Sequence, residues 1–110
     1  MPHAHLDAQL LTIIAARFKV LAEPARLLIL DTLRDAEMTV TELVDATALG
    51  QANLSKHLQV LHANGFVKRR KDGQFTRYAV AGRDVFRLCD IMCGRLDAEA
   101  AAHRKLVRVR

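Results

Sequence analysis

The sequence is short of several things, and each shortage excludes a class of protein. It has only two cysteines, Cys89 and Cys93, four positions apart. That is too few, and too close together, for a disulfide framework. No apolar run approaches the roughly 18 residues of a membrane-spanning helix. The opening MPHAHLDAQ lacks a basic n-region and an apolar h-region, so it does not read as a secretory signal, and a cytoplasmic location is expected. There are no internal repeats, low-complexity segments or interdomain linkers. No Ser-His-Asp set, glycine-rich phosphate loop or paired-carboxylate pocket is in view, so an enzyme is not expected.

What is present fits one domain over residues 1–110, with 51% hydrophobic residues to build a core. The formal net charge is +5 and the pI about 9.8, which favours a polyanionic partner. The placement of that charge says more than its sum. Lys68, Arg69, Arg70, Lys71 and Arg77 crowd around one predicted turn. Arg104, Lys105, Arg108 and Arg110 form a second basic group that reads as a frayed tail. His3 and His5 are weighed as metal ligands and set aside as residues of an irregular terminus.

Periodicity supplies the elements. Leu10, Ile14, Phe18 and Leu21 recur at helical spacing and predict a helix over 8–21. Glu23-Pro24 breaks it, and Pro24 suits the first turn of the next helix, read over 25–34. That helix is apolar around most of its circumference and is expected in the core. Thr39 and Thr41 are both candidate caps, and Glu42 completes a capping box with Thr39. The helix so opened runs to about Thr47. Leu49-Gly50 then fits a tight turn, with Gly50 expected at positive φ. A helix from Gln51 ends at Asn64-Gly65, a left-handed C-cap signal. Two strand-like segments, Phe66–Arg70 and Phe75–Val80, flank an Asp72-Gly73 hairpin signal. Gly82 breaks the second strand, and a last helix is expected over about 83–103.

On the helix from Gln51, a 100° step puts Leu54, Leu58 and Leu61 on one face, which must pack inward. The opposite face then carries Ala52, Asn53, Lys56, Gln59 and Ala63. Such a face suits a major groove. Asn and Gln bond adenine edges bidentately, Lys reaches guanine or phosphate, and Ala52 approaches a thymine methyl. Gln51 and Ser55 flank it and are candidates for phosphate contact. Any amphipathic helix has a polar face, so the basic hairpin that follows carries equal weight. A hairpin with Lys68, Arg69, Arg70, Lys71 and Arg77 can straddle backbone phosphates or enter the minor groove. His57 falls nearer the core flank and reads as a packing or hydrogen-bonded residue.

These segments, in this order, resemble the ArsR/SmtB family of winged-helix regulators. FKVLAEPARLLILDTL, LSKHLQVLHANGFVKRR and DGQFTRYAV carry the resemblance, which covers roughly residues 10–103. The expected fold is mainly α with a small β-hairpin: a winged helix-turn-helix, with the helix-turn-helix at about 39–64 and the wing at about 66–80. The resemblance implies a homodimer formed through the first and last helices, the last at about 83–103. It also implies a repressor that binds double-stranded operator DNA and is released by an inducer. Two sensor patterns of the family are missing. The stretch Glu42–Ala46 has no Cys-x-Cys pair, and Asp84 is followed by Phe86 where a zinc-sensing form has histidine. The later positions of that form hold Asp97 and Ala100.

In the last helix Val85, Cys89, Met92, Cys93, Leu96, Ala100 and His103 fall on one stripe. Cys89 and Cys93 are i and i+4, about 6 Å apart on one face. Two such thiols suit trivalent arsenic, an organoarsenical, Cu(I) or another thiophilic ion, or a reactive sulfur or redox species. Zinc would lack ligands. If paired helices cross near Leu96, Cys89 approaches His103 of the partner subunit. No cofactor is obligatory. The alternatives left open are an ArsR-type regulator whose cysteines only pack, and a ligand-independent DNA-binding or nucleoid protein.

Overall fold

The computed structural model describes residues 5–109, and the side chains of residues 5–104. Five helices and three short strands follow one another: α1 (Ala8–Leu21), α2 (Pro24–Thr32), β1 (Met38–Thr39), α3 (Val40–Thr47), α4 (Gln51–Ala63), β2 (Val67–Asp72), β3 (Phe75–Val80) and α5 (Asp84–Val109). The expected class, mainly helical with a small sheet, is what forms. Three details differ from the sequence reading. The second helix spans Pro24–Thr32, ending two residues early. The first wing strand spans Val67–Asp72, not Phe66–Arg70. The last helix runs on to Val109.

Local chemistry accounts for the helix ends. Asp7 caps α1 by accepting from the Leu10 N–H at 2.7 Å. Pro24 occupies the first turn of α2. Thr39 and Glu42 form the reciprocal capping box: the Thr39 Oγ1 accepts from the Glu42 N–H, and Glu42 accepts from the Thr39 N–H. At the end of α4 the Phe66 N–H reaches the Leu61 carbonyl and the Gly65 N–H that of His62. With Gly65 at φ +77°, this is a Schellman motif.

Two turns depart from expectation. Between α3 and α4 the left-handed residue is Ala48, at φ 60°, and not Gly50. The C-cap of α3 needs that conformation so that the Ala48 N–H can reach the Val44 carbonyl. Gly50 is the extended N-cap of α4, at φ −62°. In the hairpin, Asp72 stays in the ladder opposite Phe75, so the two loop residues are Gly73 and Gln74. Gly73, at φ 62°, is the first of them, as in the primed turn that takes glycine first.

The hairpin is also not alone. The sheet has three antiparallel strands in the order β1-β3-β2, with Met38 opposite Tyr78 and Thr39 opposite Arg77. Two residues are too few to show a period-2 pattern, so β1 left no trace in the sequence. It matters because Thr39 ends β1 and caps α3, which ties the wing directly to the helix-turn-helix.

The core is built from Ile29, Leu30 and Leu33 near the end of α2, Leu43, the α4 leucines 54, 58 and 61, Val67, Tyr78, Val85 and Phe86. α2 enters the core as expected, through one side only: Leu27 and Leu28 are exposed. α1 buries none of its residues fully. Leu10, Leu11, Ile13 and Phe18 on α1, and Leu88, Ile91, Met92 and Leu96 on α5, all stand exposed. Between α1, α2 and α5 lies an open apolar groove lined by Phe18, Leu21, Leu27, Leu88 and Met92 among others.

Candidate nucleic-acid interface

The core fixes which way α4 faces. Leu54, Leu58 and Leu61 are at most 1% exposed, so the helix cannot roll without opening a cavity. Gln51, Ala52, Asn53, Lys56, Gln59 and Ala63 are thereby exposed, and Ser55 is half-buried on the flank. Asn53, Lys56 and Gln59 follow one another along about 9 Å of helix axis, a length that fits within a major groove about 12 Å wide. His57 is buried and its Nδ1 accepts from the Arg26 Nε–H at 3.1 Å.

The wing cations divide into two groups. Arg70 and Arg77 are directly opposite one another across β2 and β3. Two guanidiniums so placed would repel, and each is held by carboxylates instead. Arg70 binds Glu37 through both Nε, at 3.1 Å, and Nη2. Arg77 donates from Nε to Asp72 at 2.7 Å and from Nη1 to Glu42 at 3.5 Å. Glu37 is held below the usual carboxylate range by the hydrogen bond from Arg70. Asp72 is lowered by its hydrogen bond from Arg77. Glu42 is lowered first by the Thr39 backbone N–H and then by the Thr39 side chain, with Arg77 adding a smaller effect. Arg70 and Arg77 are correspondingly raised by these same partners, Glu37 and Asp72.

Lys68, Arg69 and Lys71 are exposed and take no part in the ion pairs seen among the described residues. Strand alternation puts Arg69 and Lys71 on one face of the sheet and Lys68 with Arg70 on the other. Sequence reasoning missed the acidic partners. The turn signal at Asp72-Gly73 would place Arg70 opposite Phe75, so the pairing of Arg70 with Arg77 became visible only with the observed Gly73-Gln74 loop. Glu37 gave no signal, because β1 was not foreseen.

The comparisons with known proteins bear on the same segments. Residues 23–69 match the family described as bacterial regulatory protein, arsR family. The chain is 36% identical over 110 residues to nodulation protein NolR of Rhizobium meliloti, spanning 97% of this chain and 87% of that protein. The chain belongs to the ArsR family. It is a winged helix-turn-helix transcription regulator. Solved structures agree with the fold. The crystal structure of Rv0081 from Mycobacterium tuberculosis superimposes with a TM-score of 0.78 at 33% identity, covering 88% of this chain and 98% of that one. The solution structure of Mb0332 from Mycobacterium bovis, described as a homodimeric winged helix-turn-helix DNA-binding domain, gives 0.73 at 34% identity, covering 90% of this chain and 94% of that one.

In this ArsR-family chain Cys89 is half-buried and Cys93 exposed, both beside the apolar groove. His103 is exposed on the same helix, ten positions beyond Cys93, or about 15 Å along the axis. It does not join the thiols within one chain. Among the described residues no three His, Cys, Asp or Glu side chains are grouped to hold a metal ion. His5 is exposed, and His3 lies outside the described residues.

Proposed function

We propose that the chain is a sequence-specific repressor that binds a two-fold operator as a homodimer. The carrying observation is the orientation of α4: three leucines locked into the core, with Asn53, Lys56 and Gln59 turned out. Gln51 and Ser55 contact phosphates at the flanks, and Ala52 faces a thymine methyl. In the wing, Lys68, Arg69 and Lys71 supply phosphate contacts. Arg70 and Arg77, spent on carboxylates, shape the wing that carries them. The exposed apolar faces of α1 and α5 support dimerisation, since contiguous patches of that kind mark interfaces. A footprint on DNA upstream of the chain's own coding region, with sedimentation of the free protein, tests the reading. Protection of a palindrome by a dimer supports it. Binding of equal strength to unrelated DNA, or a stable monomer at micromolar concentration, overturns it.

The repressor's inducer is thiol-directed and acts at Cys89 and Cys93. Two sulfurs one helical turn apart, beside an apolar groove and without a third ligand among the described residues of the chain, favour a species that needs only two sulfurs and carries an apolar substituent. An organoarsonous acid fits. Two S–H and two As–OH bonds break, two As–S bonds and two waters form, and nothing is oxidised. A bare trivalent ion would need a further donor, for which His103 of the partner subunit is the candidate. The test is a gel shift with phenylarsine oxide, arsenite, Cu(I), persulfide and peroxide, on wild type and on Cys89→Ser/Cys93→Ser. Release of wild type alone supports the reading. No release by any of them assigns the cysteines to packing, and release of both proteins places the sensor elsewhere.

A further inference from the structure

The reading helix is held by two arginines from outside the helix-turn-helix. Arg17, on α1, donates from Nη1 to the carbonyl of Asn64, the C-cap of α4, at 2.9 Å. Its guanidinium lies over the Schellman turn, where a Cβ added at Gly65 would come within 3.9 Å of Nη1. Arg26, on α2, donates from Nε to His57 Nδ1 at 3.1 Å and from Nη1 to the Val20 carbonyl, in the last turn of α1, at 3.2 Å. An accepting Nδ1 requires a neutral imidazole with its proton on Nε2. The two anchor points, His57 and Asn64, are seven residues apart, about 10 Å along α4.

Two points fix a tilt where one would not. The leucines set how deeply α4 sits in the core. The arginines link it by hydrogen bonds to α1, the helix that buries nothing fully in its own domain and turns an apolar face outward. The leverage is large: tilting a 13-residue helix by about 10° moves its far end by about 3.4 Å, one base-pair step.

We propose that Arg17 and Arg26 are positioning residues for operator recognition, tying the angle of α4 to α1 so that the separation of the two reading helices follows the dimer face. The inference rests on the dimeric reading above. It makes Arg17 and Arg26 sensitive to half-site spacing and not to the bases or phosphates of one half-site.

The experiment compares wild type, Arg17→Ala, Arg17→Lys and Arg26→Ala. Each is titrated against the full palindrome, palindromes with one or two base pairs inserted or removed at the centre, and a single half-site, at several salt concentrations. Amide exchange over residues 60–66 is followed without DNA. Arg17→Ala should lose about five-fold or more on the full palindrome, as one hydrogen bond is lost in each of two subunits. Its half-site affinity and salt slope should stay as in wild type, its spacing preference should broaden, and the last turn of α4 should exchange faster. Arg17→Lys, which keeps a donor, should recover part of each effect. An equal loss on palindrome and half-site, or a salt slope reduced by about 1 per lost contact, would make Arg17 a phosphate contact and overturn the proposal. Unchanged spacing preference with unchanged exchange would overturn it as well. If Arg26→Ala fails to fold, the Arg17 pair decides alone. A wild type that binds no palindrome counts against the dimeric repressor, while exchange still reads the tether from α1 to α4.

Discussion

The division of the wing cations has a measurable consequence. Each phosphate contact releases condensed counterions, so log K falls with log salt at about 0.9 per contact on duplex DNA. Replacing Arg69 or Lys71 by Ala removes one contact per subunit, two per dimer. The slope should therefore fall in magnitude by about 1.8, and between 50 and 200 mM salt the advantage of wild type over the variant should shrink about twelve-fold. Arg70→Ala and Arg77→Ala remove the same formal charge, but these side chains are bound to Glu37, and to Asp72 and Glu42. Their slopes should stay within about half a unit of wild type, with any loss of affinity similar at all salt concentrations. The reverse substitution is the sharper arm. Glu37→Gln leaves Arg70 without its anionic partner and should steepen the slope. Fluorescence anisotropy on one operator duplex, from 50 to 300 mM salt, reads all five variants. The reasoning fails if Arg70→Ala and Arg69→Ala flatten the slope equally, or if Glu37→Gln leaves it unchanged.

Asn53→Ala and Lys56→Ala should each cost roughly 1–3 kcal/mol on the specific operator and relax preference at one position, read by competition with singly substituted duplexes; unaltered affinity in both removes α4 from base reading. Leu58→Ala, at a side chain 1% exposed between α4 and the core, should lower unfolding free energy by about 2–5 kcal/mol in urea, and a loss below about 1 would mean the site collapses freely. The wing should be acid-sensitive. Glu37, Glu42 and Asp72 are all held below their ordinary values, so their contribution is present above the ordinary carboxylate range and is lost as pH falls through the lowered ones. Wing amide shifts should hold from pH 7 through the ordinary carboxylate range and change only below it. A midpoint at or above that range would contradict the ion-pair assignment.

How much of this was legible in the sequence depends on how local each signal is. The capping box at Thr39 and Glu42, the Schellman turn at Gly65 and the inward triad Leu54, Leu58 and Leu61 each rest on residues within one or two helical turns, and each formed as read. So did the order of helices and the basic wing, because apolar period and turn chemistry are properties of the chain itself. Gly50 was misread for a local reason too: positions 48 and 50 both lie in the α3–α4 turn, and the C-cap geometry selected Ala48. The rest needed three dimensions. β1 is two residues long and exists only because β3 runs beside it. Glu37 meets Arg70 across 33 positions, Glu42 meets Arg77 across 35, and Arg17 meets Asn64 across 47. No spacing rule reaches that far. The placement of cations along the chain therefore established that the wing is basic, while tertiary structure decided which of its cations are already neutralised by a neighbour, because pairing depends on which carboxylate the fold brings within reach.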